Sequence, residues 1–516
     1  MSDPTVPQRA ARWPAGLRPL CAGVAALVLA GCAAVGPDHV RPVVAVPDAW
    51  SRATTAAPEA VPASAATAPP TAPAPPTASA PPTPPAPPVP PAASVEALSG
   101  WWRQFDDAAL GDFVEQALRG TPELRAALAR LEAARASRAL ARAQRAPTVT
   151  AGASAQTSAA NGRAATDAFG TGLDAAWELD LFGARRRALE AAEADLGAAE
   201  ATLASTRVSL AAEVALAYVE VRTAQARIDV ARRNLDSQAE TLQLTRWRAQ
   251  AGLVGALDVE QATASHAQTR AQLPVLESAF GQARHRLAVL LGRPPAALDA
   301  VLAAPKPIPT APAGIAVSIP AAMLAQRPDV AAAERALAAE TARVGVAEAA
   351  RYPSLSLGAS IGLQALTPGG LLDAGATTRS LFASLAATVF DAGRLRRQVE
   401  IRSAVQAQAL AQYESAVLTA LQEVEDALLA LAVGGERRAA LATAVDAARN
   451  AALLARQRYA SGLADFQAVL DSGRTVLTLE DALVTSTADT SDAVVRLYKA
   501  LGGGWSGAAG DERKQP

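Results

Sequence analysis

The sequence contains two copies of one unit, and this duplication constrains the fold more than any other feature. Residues 121–154, TPELRAALARLEAARASRALARAQRAPTVTAGAS, resemble residues 327–360, RPDVAAAERALAAETARVGVAEAARYPSLSLGAS. Four further matches are each separated by 210 positions: Gly183 and Gly393, Glu213 and Glu423, Gly252 and Gly462, and Leu291-Gly292 and Leu501-Gly502. A constant offset over so long a stretch indicates a duplicated structural unit rather than chance similarity.

Each unit is predicted to contain a helix, a β-hairpin, a long helix, a turn and a returning helix. The long and returning helices are predicted at 185–250 and 256–291 in the first copy and at 395–460 and 466–501 in the second. At 1.5 Å per residue the longer helices measure on the order of 100 Å, and they carry too many charges to span a membrane. Gly434-Gly435 predicts a local break or bend in the second copy.

The hairpin strands, at about 148–180 and 354–390, alternate in polarity. Apolar residues in 354–363 occupy every second position, between serines and glycines, and apolar residues again alternate along 381–389. This pattern is typical of outer-membrane strands with a wet interior, and a half-buried soluble sheet is the alternative. Four strands are too few to close a barrel, and open edges are not tolerated in hydrocarbon. A membrane barrel therefore requires several chains, and three chains would supply twelve strands.

The amino-terminal segment has the pattern of a signal peptide. A basic stretch precedes the apolar run 19–31, and LAGC ends at Cys32. This ending resembles the lipobox of bacterial lipoproteins, which implies cleavage before Cys32 and an N-acyl and S-diacylglycerol lipid on that residue. Ala33-Ala34, with no aspartate after Cys32, favours the outer membrane in the sorting pattern of such proteins. An ordinary signal peptide with an incidental cysteine is the alternative.

Residues 51–97 form a tract rich in proline, alanine, serine and threonine. Proline fixes φ and lacks an amide donor, so this tract is predicted to be an extended, disordered linker. A recognition segment for a proline-binding or wall-associated partner is the alternative. The formal net charge of −1 gives no reason to expect nucleic acid as a partner.

The motifs together resemble a known family, the outer-membrane factors of TolC/OprM type, and in particular its NodT-like lipoprotein branch. The matching stretches are GCAAVGPDHVRP at 31–42, WWRQFDDAALGDFVEQAL at 101–118, IPAAMLAQRPDVAAAERALAAETARVGVAEAARYPSLSL at 319–357, FDAGRLRR at 390–397 and LYKALGGGW at 497–505. The proline-rich tract departs from the family pattern and leaves the tether between the lipid anchor and Trp101 undefined.

The resemblance implies a mainly helical homotrimer with membrane β-structure. A 12-stranded β-barrel, four strands per chain, would join a long periplasmic α-helical barrel, with an equatorial belt from segments near 98–120, 292–326 and 434–440 and the C-terminal tail. The expected divisions are a signal peptide (1–31), a lipid-anchored segment (32–50), the linker (51–97), the first repeat (98–316), the second repeat (317–505) and the tail (506–516).

The function implied is a passive exit duct for small toxic compounds or drugs. An inner-membrane resistance-nodulation-division pump would deliver them through a periplasmic adaptor, and a type I protein secretion duct is the alternative within this class. The sequence has no phosphate-binding loop, no nucleophile elbow and three scattered histidines, so we expect no enzyme activity, no metal and no cofactor other than the lipid.

Two other classes of protein are compatible with a lipobox and helical hairpins. A periplasmic adaptor should carry a lipoyl-like β-domain and one hairpin, whereas this chain has two long hairpins and membrane-type strands. A coiled-coil spacer without a channel is the other possibility. Heat-resistant trimers with pore activity would separate a channel from such a spacer.

The turns at 251–255 and 461–465 are predicted to be the tips of the two helical hairpins. Glycine there accepts the left-handed conformation that ends a helix. The resemblance implies that the tips face the adaptor, which predicts Gly252, Leu253, Gly462 and Leu463 as contact residues. Tight turns without a partner would explain the glycines but not a leucine after each.

The resemblance also implies a gate near the second tip. Asp471 and Arg474 match the constriction of the closed state, and Tyr459 and Asp258 match positions that link neighbouring helices. A ring of Asp471 carboxylates would narrow the pore and favour cations. Asp471 as a solvated carboxylate at a helix start is the alternative. Gln467 and Ala468 stand where some relatives carry bulkier or charged residues, so how tightly this gate closes stays open.

Overall fold

The computed structural model describes residues 34–44, 98–159, 162, 164–310 and 327–504. The predicted signal peptide, Cys32, the proline-rich linker, the tail 506–516 and the segment 311–326 lie outside the described residues. The described residues form two compact units. The first takes those within Met1–Val43, Leu128–Ala201 and Ala331–Ser415, and the second those within Val44–Ala127, Thr202–Val330 and Ala416–Pro516.

Seven helices longer than one turn account for most of the described chain. They are α1 (Ala108–Gly120), α2 (Pro122–Ala143), α3 (Ala184–Gln250), α4 (Ala256–Leu290), α5 (Pro328–Ala349), α6 (Arg394–Ala460) and α7 (Phe466–Ala500). We call α3, its turn and α4 the first hairpin, and α6, its turn and α7 the second hairpin. Among the described helices, none has a segment long and apolar enough to cross a membrane.

Four antiparallel strands in the first unit form one sheet in the order β1-β2-β3-β4. The strands are β1 (Thr148–Ser158), β2 (Thr166–Leu179), β3 (Ser354–Ala365) and β4 (Thr377–Ala386). The two β-hairpins are joined by pairing of β2 with β3, in a register that places Gly172 opposite Gly362. A Cβ on either glycine would lie about 3 Å from the other residue's Cα, so these strands require glycine for their close approach.

The segment that follows the predicted lipid anchor is docked on the first unit. Val35 N donates to Phe182 O at 3.1 Å. The buried Arg187 guanidinium donates to the carbonyls of Val35 (3.2 Å) and Gly36 (3.1 Å) and to Asp38 Oδ1 (2.7 Å). His39 Nε2 lies 2.8 Å from Glu334 Oε1. One buried cation therefore holds three residues of an irregular segment, because a buried guanidinium must satisfy its donors.

An aromatic core organises the second unit. Trp101 stacks on Tyr498 with ring centroids 5.4 Å apart and meets Trp102 edge-on at 5.8 Å. Asp107 caps α1 by accepting from the amides of Ala109 and Leu110, and it also accepts from the Tyr218 hydroxyl at 2.8 Å. Burial is the main reason why the pKa of Tyr218 rises to about 12. The segment predicted for the belt near 98–120 is thus packed on α3 and α7.

The observed long helices agree with the sequence prediction to within one residue at each end. Two local expectations differ from the structure. Strand β4 begins at Thr377, four residues before the predicted apolar alternation at 381–389, because backbone pairing with β3 extends into the polar stretch TTRS. The helix also continues unbroken through Gly434-Gly435. A Cβ at Gly434 would lie 3.2 Å from Thr490 Oγ1, so this glycine serves close packing rather than a break.

Candidate functional site

The two hairpin tips have the same backbone design. Gly252 and Gly462 adopt left-handed φ values of +73° and +75°. The amide of Leu253 donates to Arg248 O, and that of Leu463 donates to Arg458 O, each at 2.8 Å. The glycine amides also donate to carbonyls of the last helical turn, at 3.0 and 2.9 Å. This pair of backbone hydrogen bonds is the Schellman motif. It satisfies helix-terminal carbonyls and requires a residue that tolerates positive φ.

Both tips present an apolar side chain to solvent. Leu253 is 67% exposed and Leu463 is 79% exposed. Beside the first tip, Trp247 and Leu257 are also largely exposed. The first tip therefore offers a larger apolar surface than the second. The sequence prediction named both leucines as contact residues and missed Trp247 and Leu257, although their apolar character next to a turn was visible in the sequence.

Tyr459 anchors the base of the second tip. Its ring is buried, and its hydroxyl donates to Thr245 Oγ1 of α3 at 3.3 Å. The Arg248 guanidinium lies 4.5 Å from the ring centroid and donates to the Tyr459 carbonyl oxygen. The Phe466 ring is 5.5 Å from the Tyr459 ring. Tyr459 thus ties α6 to α3 of the first hairpin and to the start of α7.

The other predicted gate residues are less constrained within the chain. Asp471 is exposed and accepts from Gln467 Nε2 at 3.0 Å. Asp258 lies in the first turn of α4, where its amide donates to Gly255 O at 3.2 Å. Arg474 is exposed, and its guanidinium has no hydrogen bond or ion pair with any described residue. The four residues do not form one bonded cluster in the described chain, and their joint action in a gate stays a prediction.

A polar network around the buried Glu480 lies farther along α7, and the sequence prediction missed it. Glu480 accepts from Asn234 Nδ2 at 3.1 Å and from Arg449 Nε at 2.7 Å and Nη2 at 2.6 Å. Next to it, Asp481 receives two bonds from Arg227, at 2.7 and 3.1 Å. These bonds join α7 to α3 and α6. An available signal was the Glu480-Asp481 pair in a helix of mostly small and apolar residues, since a buried carboxylate needs a partner.

Asp492 is a second acidic group with an unusual environment. Its Oδ1 is buried and makes no hydrogen bond. Burial raises the pKa of Asp492 to about 7, Arg496 acts in the opposite direction, and Asp489 and Glu220 add to the increase. The carboxyl group is therefore half-protonated near neutral pH. No metal centre accompanies it: the part of the chain that the structure describes has no group of three or more potential ligands that would hold a metal ion.

Comparisons with known proteins agree with this architecture. The family model described as "Outer membrane efflux protein" matches residues 113–293 and 319–503. The pyoverdine export outer membrane protein OpmQ of Pseudomonas aeruginosa is 35% identical over 426 residues, covering 78% of this chain and 87% of that protein. Nodulation protein T of Rhizobium leguminosarum bv. trifolii is 30% identical over 418 residues, covering 79% of this chain and 88% of that protein.

A solved structure shows the same fold. The outer-membrane channel OprN superposes with a TM-score of 0.77 at 41% identity, covering 79% of this chain and 93% of that chain. A four-stranded sheet and two long helical hairpins in one chain thus place this protein in the class of outer-membrane channel proteins. The chain belongs to the outer membrane efflux protein family, of the NodT/TolC type. It is an efflux channel of the outer membrane that extends into the periplasm.

Proposed function

We propose that the protein is the passive exit duct of a tripartite pump for small toxic compounds. A resistance-nodulation-division transporter in the inner membrane supplies the energy, and a periplasmic adaptor joins the transporter to this duct. The observation that carries the proposal is the open sheet: β1 and β4 each have one edge without a partner in the described chain, and their side chains are exposed throughout. Two open edges in hydrocarbon require neighbouring chains.

A homotrimer supplies those neighbours. Pairing β4 of one protomer with β1 of the next gives twelve strands, joined to an α-helical barrel and its belt. Each protomer contributes two repeats to this arrangement, residues 98–316 and 317–505. Helices of 67 and 35 residues in each copy support the duplication. Two separate matches of the family model support it as well.

Cys32 is the proposed lipid attachment site, with residues 1–31 removed as a signal peptide. The acyl chains enter outer-membrane lipid, residues 32–50 lead away from the anchor, and residues 51–97 form a linker. The docked segment from Val35 to His39 supports an anchor close to the first unit. Mass spectrometry of the purified protein, with and without Cys32→Ala, tests the acylation directly.

Oligomer and channel activity are tested on the full-length protein in detergent and in planar bilayers. A mass of three protomers and discrete conductance steps are expected. Monomers without conductance would overturn the duct proposal. A deletion strain complemented with the wild-type sequence should regain ethidium efflux. Rescue of protein export without rescue of ethidium efflux would instead favour a type I secretion duct.

The gate proposal assigns Asp471, Arg474, Tyr459 and Asp258 to the closed state. Replacing both Asp471 and Arg474 with alanine should raise single-channel conductance and lower cation preference, because a charged constriction is removed. Gln261→Ala is the matched control, since residue 261 lies 210 positions before Asp471. Unchanged conductance and ion preference in the double variant would remove the pair from the gate.

The tip proposal assigns adaptor contact to Gly252, Leu253, Gly462 and Leu463. Exposed leucines on hydrogen-bonded Schellman turns support it, because a backbone already fixed in its bound shape loses less entropy on binding. Cysteines placed at Leu253 or Leu463 should cross-link to the adaptor in cells. Cross-links confined to cysteines far from both tips would contradict the assignment.

A further inference from the structure

A cavity of about 500 Å³ lies in the second unit, between the two helical hairpins. Residues from α3 line one side and residues from α6 and α7 line the others, with Ala262 and Ser265 of α4 closing the edge nearest the first tip. Its volume falls in the range of small-molecule sites. Asp471 of the proposed gate is not among the lining residues of the cavity, whereas its neighbour Arg474 is, so the cavity lies next to the proposed gate.

One side of the cavity is apolar. Phe466, Val469 and Leu470 of α7 form this wall together with Ala452 of α6. All four are buried, and Phe466 is fixed against the Tyr459 ring. An apolar wall of ordered side chains suits an alkyl or alicyclic body, which gains free energy by leaving water.

The polar part of the lining carries an excess of positive charge. Four arginines and one carboxylate belong to it: Arg233, Arg449, Arg456, Arg474 and Glu480. Two of the arginines are neutralised, Arg449 by Glu480 at 2.6 Å and Arg233 by Asp229 at 3.1 Å.

The remaining two guanidinium groups have no carboxylate partner. Arg456 donates to neutral oxygens of Ala452 and Ser237, and Arg474 has no bond to any described residue. Guanidinium donors without a carboxylate at the wall of a cavity suit a ligand that supplies an anionic acceptor.

We propose that this cavity binds an amphipathic carboxylate. Arg474 and Arg456 bind the carboxylate, and the body of the ligand packs on Phe466, Val469 and Leu470. A neutral apolar ligand would leave both guanidinium groups without a counter-charge, and a cation would be repelled by them. Guanidinium groups favour carboxylates because two parallel hydrogen bonds form. The site belongs to one chain and does not depend on the transported substrate.

The test uses full-length protein in lipid nanodiscs and a photoreactive diazirine derivative of dodecanoic acid. After irradiation, mass spectrometry locates the adducts. We expect adducts on the segments 234–241 and 452–476, removed by excess dodecanoate and retained with excess dodecanol. Arg474→Gln should weaken this labelling about tenfold, the typical effect of losing one charged hydrogen-bond partner. Adducts elsewhere on the chain show how much photoreactive probe is available, and they serve as the reference for labelling of the cavity.

Two further variants distinguish loss of the binding site from loss of the folded protein. Arg232→Gln is the matched control, because Arg232 is exposed, bonds to Glu277 at 3.0 Å and does not line the cavity. Its labelling should equal that of the wild type. Val469→Trp fills the apolar side while leaving every charge in place, and it should abolish labelling without loss of the oligomer. The proposal is overturned by labelling that persists in Val469→Trp, by labelling insensitive to Arg474→Gln, or by equal competition from dodecanol.

Discussion

The two helical hairpins share a backbone and differ in their side chains. Both contain a helix of 67 residues, a five-residue turn with one left-handed glycine, and a returning helix of 35 residues. Yet Tyr459, Asp471, Arg474 and Glu480 correspond, 210 positions earlier, to Ala249, Gln261, Ala264 and Arg270. The exposed Trp247 and Leu257 of the first tip correspond to Gln457 and Gln467 in the second.

The comparison distinguishes the structural features that both copies keep from the side chains that differ between them. Helix length and the glycine turn define the shape of a hairpin, and both copies keep them. The contacts between the hairpins use Tyr459 and Glu480 of the second, which bond to Thr245 and Asn234 of the first. Apolar exposure concentrates at the first tip. The second hairpin therefore supplies most of the residues of the proposed gate, and the first supplies the larger apolar surface for the proposed adaptor contact.

The largest expected effect comes from making the second tip like the first. Tyr459→Ala removes a buried ring and should lower the free energy of unfolding by about 3 kcal/mol, a usual value for deleting a buried aromatic side chain. Tyr459→Phe loses only the hydroxyl bond to Thr245 and should cost about 1 kcal/mol. Thermal unfolding of the purified protein at one scan rate measures both. Equal losses in the two variants would show that the ring packing contributes little.

Removing the buried carboxylate should have the next largest effect. Glu480→Ala leaves Arg449 and Asn234 without their partner and should lower stability by about 2 kcal/mol. This is less than for a fully buried pair, because the Arg449 side chain is 51% exposed. The matched control is Arg270→Ala, at the exposed counterpart in α4, with a change within about 0.5 kcal/mol. A similar loss in both variants would contradict the asymmetry between the hairpins.

The acidic group with the raised pKa gives a pH-dependent prediction. The folded chain keeps a proton on Asp492 up to about pH 7, whereas the unfolded chain releases it near 3.8. The folded state is therefore progressively destabilised as the pH rises between these values, and the penalty is constant above about pH 7. Asp492→Asn, which resembles Gln282 of the first hairpin, should be about 2 kcal/mol more stable than wild type at pH 8. The difference should vanish near pH 4. A pH-independent difference would show that charge is not its cause.

The smallest expected effect tests what the hairpins share. Gly252→Ala and Gly462→Ala should each cost about 1 kcal/mol, because alanine is strained at positive φ. The two losses should agree, since neither glycine has a crowded neighbour beyond the Arg248 side chain near Gly462. Hydrogen exchange of the amides in each tip measures the local opening. A loss at one tip alone would show that the turns are not equivalent.

The sequence predicted the helical part of the fold well for a physical reason. Long runs without proline or clustered glycine leave the chain no alternative to helix, and the glycine turns mark where each helix ends. Strand β4 was predicted less well, because Thr377–Ser380 are polar and their pairing depends on β3 rather than on their own pattern. The tip residues followed from local conformation in the same way.

The polar contacts between the two hairpins could not be predicted from local sequence patterns. Glu480 and Asn234 are 246 residues apart, and Tyr459 and Thr245 are 214 apart. Which face of one helix meets another depends on packing over the whole unit, and a heptad-like, alanine-rich pattern leaves several faces equally suitable. For this reason the family resemblance pointed to Tyr459 and Asp471, whose role in a gate stays a prediction, but gave no sign of Thr245, Arg248 or Glu480.

The open edges of the sheet have a consequence for cells that make both intact and defective copies of the chain. In a cell that makes equal amounts of intact and defective chains, random mixing in the proposed homotrimer would leave only about one assembly in eight with three intact subunits. A variant that keeps β1 and β4 but carries a damaged tip would still pair with its neighbours. Such a variant should act as a dominant inhibitor, whereas a variant with a disrupted β4 would be excluded from assemblies and should be recessive.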